Sequence, residues 1–363
     1  MARTLEDVQQ QTRVYSQWAS TRGLKTDILP WRLWDKGKRL HWDPAELDFT
    51  QDRKDWESMT LDHQLIVAGL ARGFMVGEEG VTLDIMPLVF AMADEDRAEE
   101  TMYLTQFCYE EAKHVDFFNR WFRAVGADPL ELEEIGRKRM IERGVDPPDR
   151  ERPKGLFEYH LPRTMRRLLT DHSPQAFLDA SVTYNQFIEG CLAIAGYKMW
   201  GQMFEAFGVL PALRQGIGHI QDDERRHIAY GTYLCRRIIA QNKELADFAV
   251  DRMYELRDMY TQSFFGSRMD ADGDGRKPRA TAAQIIEEMR RQAAEEQARA
   301  QASGNGGGGY GGGGGEFMLF GEVMVRQVDR RVELLRRATK LDPEAAERGV
   351  GAEEAEQELE RAS

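Results

Sequence analysis

MYLTQFCYEEAKHVDFF, residues 102–118, is the stretch that decides the fold. It holds a glutamate and a histidine three residues apart, Glu111 and His114, in a run whose apolar residues recur every three or four positions. That period is helical. Side chains three apart on a helix diverge by about 60°, so a carboxylate and an imidazole can converge on one ion. Phe107, Val115 and Phe118 stand at −4, +4 and +7 from Glu111, which puts Glu111 and His114 on an apolar stripe. A glutamate there is costly unless its charge is compensated. Glu110 shares its face with Gln106 and Lys113 and is expected on the solvent side.

The same pattern recurs as Glu224-Arg-Arg-His227. Each motif follows another glutamate at similar range: Glu78 lies 33 residues before Glu111, and Glu189 lies 35 before Glu224. Fifteen or so residues up and as many down, at about 1.5 Å each, return a helical hairpin to the same height. The 78 residues from Glu111 to Glu189 leave room for one long crossover. One Glu from each of two helices, plus Glu-x-x-His from each of two others, is the ligand pattern of ferritin-like dimetal carboxylate bundles. The expected fold is therefore all-α, a ferritin-like four-helix bundle with additional flanking helices. Four glutamates bring four negative charges, which two divalent ions neutralise. Periodicity does not choose between Glu78 and Glu79, since both have apolar neighbours one turn away. Asp223 has two readings, a partner for the far nitrogen of His114 or an exposed charge.

Alternating β-branched runs do not occur. Long helices are expected at 60–91, 95–125, 174–207 and 210–241, with starts at Thr60, at Asp94 and at Ser173 followed by Pro174. Further helices are expected near 3–19 and 243–265, and a crossover with a short helix or two over 126–172. Residues 1–265 are expected to form the dimetal domain and 266–363 a C-terminal extension. In that extension 280–302 and about 317–338 read as helices. The glycine tract within 303–315 reads as flexible and separable from the metal site, and the tail after Leu341 as frayed. Tyr184 and Glu189 are five apart, about 140° on a regular helix. If both face the metals, a π-bulge is expected between them.

A net charge of −13 over 363 residues argues against nucleic acid or an anionic membrane as the main partner. The start MARTLEDVQQQTRVY is wrong for a signal peptide. The most apolar stretch, 176–213, is interrupted by Asp179, Glu189 and Lys198 and cannot cross a bilayer unaided. Cys108, Cys191 and Cys235 are too far apart for a disulfide framework and read as small core residues. The cytoplasm is the expected compartment.

GLKTDILPWRLWDKG (23–37), GEEGVTLDIMPL (77–88), the stretch 102–118, SVTYNQFIEG (181–190) and QDDERRH (221–227) resemble the ribonucleotide-reductase-small-subunit-like ligand-binding oxidases. The resemblance covers roughly residues 20–265. It implies Glu78 as the first ligand, one metal on Glu78, Glu111 and His114, the other on Glu189, Glu224 and His227, and Glu111 bridging. It further implies a manganese–iron pair, with di-iron possible, a long-chain fatty acid whose carboxylate bridges the metals, dioxygen as oxidant, and a homodimer. Val81 and Tyr184 match the pair that this family joins by an ether bond. The alternatives are a radical-carrying ribonucleotide reductase small subunit, an iron oxidation or storage protein, and a related bundle oxygenase. Against the radical subunit, Phe118 stands where a tyrosine is usual, and no aromatic residue follows Phe320.

Overall fold

Residues 22–142, 155–265, 281–302 and 313–361 are described in a computed structural model. The helix expected near 3–19 lies outside them, as does most of the glycine tract, 303–312. The fold is all-α, a ferritin-like four-helix bundle with flanking helices, and no strand occurs among the described residues. In chain order the helices are α1 Leu29–Arg39, α2 Thr50–Ser58, α3 Leu61–Asp84, α4 Met86–Asp94, α5 Ala98–Val125, α6 Pro129–Glu142, α7 Leu161–Arg167 and α8 Pro174–Ser181. They continue as α9 Ile194–Phe207, α10 Pro211–Gln241, α11 Leu245–Phe265, α12 Ala282–Ala302, α13 Gly313–Ala338, α14 Pro343–Glu347 and α15 Ala352–Arg361. Between α8 and α9 the chain is a π-helix, Val182–Ala193.

Local chemistry explains several boundaries. Thr60 accepts the His63 N–H and opens α3. The helix expected over 60–91 breaks at Ile85, because Pro87 removes a backbone donor and crowds the preceding turn. Asp94, expected to start the next helix, instead ends α4. Asp96 then takes φ +54°, a left-handed turn, and α5 begins at Ala98.

The chain divides into two compact units, one within Met1–Ala180 and Phe204–His227, the other within Ser181–Met203 and Ile228–Ser363. In the first, α1, α3 and α4 pack on α5, whose inner face buries Tyr103, Leu104, Phe107, Phe117, Phe118 and Trp121. Each such side chain contributes about 1.5–3 kcal/mol of burial free energy. Asp52, fully buried, anchors the start of α10 by accepting the Ala212 and Leu213 N–H groups at 2.9 and 2.8 Å. It also accepts the indole N–H of Trp121 at 3.0 Å. One carboxylate thus satisfies two open helix-terminal donors and ties them to α5.

In the second unit α11 and α13 pack on each other and on the π-helix, while α12 and α15 pack on α13. The tail expected to fray is helical instead. Asp342 caps α14 through the Ala345 N–H, and α15 delivers Glu356 to the buried Arg331. Composition gave no sign of that pairing, because one partner among many surface-type glutamates is chosen only by packing. The wide turn expected between Tyr184 and Glu189 is present and extends over 12 residues.

Candidate metal centre

The first unit gathers two overlapping sets of ligand atoms. Glu78 on α3, Glu111 and His114 on α5, and Glu224 on α10 each place one ligand atom within 4.8 Å of the others. Glu111, Glu224 and His227 do the same, so two carboxylates are common to both sets. His114 Nδ1 is 3.2 Å from Glu78 Oε2, 3.6 Å from Glu224 Oε1 and 3.9 Å from Glu111 Oε2. His227 Nδ1 is 2.9 Å from Glu111 Oε1 and 3.7 Å from Glu224 Oε2. All five residues are buried. Carboxylates this close and this dry repel one another unless cations lie among them. Oxygen-rich sets with one imidazole apiece suit manganese or iron, so the donor chemistry fits a pair of such ions.

The far nitrogens of the two histidines are held reciprocally. Asp223, one residue before Glu224 on α10, stands 3.1 Å from His114 Nε2 on α5. Glu110, one residue before Glu111 on α5, stands 2.9 Å from His227 Nε2 on α10. Glu110 is therefore not on the solvent side as expected; it is 3% exposed. Periodicity misplaced it because its neighbours Gln106 and Lys113 are polar for the same reason that it is. Two cations complete the layer. Lys113 reaches Asp223 at 2.7 Å, and Arg226 reaches Glu110 at 2.7 Å and Asp223 at 2.5 Å. Trp42, which sequence reasoning passed over, donates its indole N–H to Asp223 at 2.8 Å and lies beneath the Lys113 ammonium.

Electrostatics separates the twin histidines. Burial opposes charging of His114, but Glu78 and Asp223 outweigh it and raise its pKa to about 9. Burial dominates at His227 and lowers its pKa to about 4, with Glu110 offsetting only part. Burial also opposes charge on Asp223, yet His114, Lys113 and Arg226 hold it well below the usual carboxylate range.

Comparison with known proteins then fixes the kinship. The family model described as "Ribonucleotide reductase, small chain" matches residues 27–269. The chain belongs to that family. Within it the similarity is to the R2-like ligand-binding oxidases. The enzyme from Sulfolobus acidocaldarius is 28% identical, with a TM-score of 0.67 over 92% of this chain and 99% of that one. A variant of such an oxidase with an anaerobically reconstituted Mn/Fe cofactor is 33% identical, covering 70% of this chain and 90% of that chain at a TM-score of 0.62. Another, with an aerobically reconstituted Mn/Fe cofactor, is 29% identical over 89% and 98% at 0.65.

Other residues singled out from the sequence of this small-chain family member fall as follows. Packing settles what periodicity left open: Glu78 is buried and Glu79 exposed. Val81, one turn along α3 from Glu78, is buried, as is Phe118. In the second unit Glu189 is buried and accepts the Asn185 amide N–H at 2.9 Å. Tyr184 is buried in the same π-helix. Cys191 and Cys235 are buried thiols whose pKa burial pushes up to about 12, so they stay protonated, and Cys108 is half-buried. His219 stacks on Trp42 at 5.2 Å between ring centroids. Among the described residues no helix is long and apolar enough to cross a membrane.

Proposed function

We propose that this protein is a dioxygen-activating oxidase with a manganese–iron centre. One ion is held by Glu78, Glu111 and His114, the other by Glu189, Glu224 and His227, and Glu111 bridges. The observation that carries this reading is the sharing of buried Glu111 and Glu224 between two ligand sets, each with one imidazole. The kinship with oxidases reconstituted with Mn/Fe supports the choice of metals. When bound, the ion pair supplies the redox capacity to reduce dioxygen. The chain's own residues supply orientation. Asp223 and Glu110 engage the Nε2 atoms, which leaves each Nδ1 to face the metals. Lys113 and Arg226 keep those two acceptors charged.

A long-chain fatty acid, its carboxylate bridging the metals, is the proposed ligand. The chemistry is two-electron C–H oxidation, including an ether bond from the Val81 β-carbon to the Tyr184 phenolic oxygen. That bond removes one C–H and one O–H hydrogen, with dioxygen accepting the two electrons and two protons. Val81 has a tertiary β-carbon one turn from Glu78, which supports it as the carbon partner. Aerobic loading with manganese and iron, followed by trypsin, should then give one joined species from peptides 73–97 and 168–198, lighter than their sum by two hydrogen atoms. Anaerobic loading and Tyr184→Phe should leave the peptides separate. Separate peptides after aerobic loading would defeat the cross-link. A protein retaining no fatty acid would turn attention to iron oxidation, and a stable radical to the reductase-subunit role.

The proposed homodimer has a candidate face. Val76 and Leu83 on α3, and Met86 and Phe90 on α4, are exposed at seven-, three- and four-residue spacing. An apolar seam of that period suits a second helix. Sedimentation should show a dimer that Leu83→Glu dissociates. The proposed location is the cytoplasm.

A further inference from the structure

The proposed centre takes Glu189 from a segment that is not a regular helix. Wide π turns are rarely stable by themselves and persist where surrounding groups hold them. In the second unit one side chain meets that need. Arg331 on α13 is fully buried. Its Nε donates to the Gly190 carbonyl at 2.9 Å, one residue beyond Glu189. Its Nη1 donates to Gln186 Oε1 at 3.0 Å, three residues before Glu189. Glu356 on α15 accepts from Nη1 at 3.1 Å and from Nη2 at 2.8 Å, the two-pronged pairing that suits a guanidinium. Gln186 passes the network on by donating to Thr232 Oγ1 at 3.1 Å, and that hydroxyl donates to Glu356. The ring of partners is closed.

Gly190 is what lets the guanidinium in. A β-carbon there would lie 2.2 Å from Arg331 Cζ, so the guanidinium could not keep its present seat and would have to shift. The absence of a side chain at 190 and the presence of arginine at 331 are thus two halves of one fit, 141 residues apart.

We infer that Arg331, anchored by Glu356, is a positioning residue for Glu189: it grips the π-helix on both sides of that carboxylate and fixes the backbone from which it projects. The C-terminal helices thereby act on the centre rather than merely follow it. This rests on the reading of Glu189 as a metal ligand. It assigns to α13 and α15 a function in metal loading that their composition, a charged extension behind a glycine tract, does not suggest.

The test uses the full-length chain and two readouts. Replacing Arg331 and Glu356 together by methionine removes the pair without leaving a lone buried charge. In the metal-free protein, hydrogen exchange of the 182–193 amides should accelerate about tenfold or more, while α5 keeps its protection. In a titration with iron(II), one of the two equivalents should bind about 10–100-fold more weakly and the other should hold. Gly190→Ala, which pushes the guanidinium aside, should reproduce both effects and serves if the double variant does not fold. Unchanged exchange over 182–193, or equal weakening of both equivalents, overturns the proposal, because a general loss of stability would act on both sites alike. Glu189→Ala separates the two ideas. If that variant binds two equivalents normally, the ligand reading fails, whereas the exchange result still reports on the grip of Arg331.

Discussion

α5 and the π-helix 182–193 both carry acidic residues of the proposed centre, and they reach that end by different means. In α5 the backbone is regular, and Glu111 and His114 face one way because three residues make nearly one turn. Its motif residues are held from two other helices: Glu78 from α3, and Asp223, Glu224 and Arg226 from α10. In the π-helix the turns are wide, so Tyr184 and Glu189 are no longer related by the helical angle. Its partners are Gly231 on α10, whose missing β-carbon makes room for Asn185, and Arg331 on α13, itself anchored by Glu356 on α15. Regular helix can be stabilised by its own period; irregular helix needs outside groups, and here the C-terminal helices supply them.

The largest effect should come from the regular side. Glu111→Ala removes one of the two carboxylates common to both ligand sets, and at most one ion should remain, weakly bound; two full equivalents measured by metal analysis would break the assignment. Next, matched variants weigh the two regions against each other. Glu110→Gln weakens the hold on His227 in α5's layer, and Asn185→Leu removes the donor to Glu189 in the π-helix. Each should lower metal affinity by about 10–100-fold, the usual cost of a lost supporting group. If Asn185→Leu has no effect while Glu110→Gln does, Glu189 is held by contacts other than the Asn185 amide.

A smaller effect concerns protons. In the metal-free chain the His114 pKa, about 9, lies above the unfolded value, so its contribution to stability is full below about pH 6.5 and is lost as pH rises through about 9. At about pH 7.5 an ion arriving at Nδ1 must expel that proton, whereas His227, already neutral, releases none. Metal loading in weak buffer should therefore release about one proton from the histidine pair at pH 7.5 and none at pH 10; equal release at both would contradict the asymmetry. The smallest effect tests the cap of α3. Thr60→Ala should cost about 1 kcal/mol of stability in thermal unfolding, with metal content unchanged.

The all-α class, the positions of most long helices and the paired motifs are legible along the chain, because apolar period and the Glu-x-x-His spacing are both local properties of regular helix. Even a wide turn near Tyr184 was legible, from an angle that a regular helix could not satisfy. Packing settled the rest. It chose Glu78 over Glu79, buried Glu110 against its polar neighbours, and set His114 and His227 at opposite ends of the imidazole range. It also drew Trp42 and Asp52 to the helix pair, and turned a tail of glutamates into an anchor for Arg331. Each of those outcomes depends on which distant group fills the space beside a side chain. Burial and charge pairing act through space, and no period along the chain encodes them.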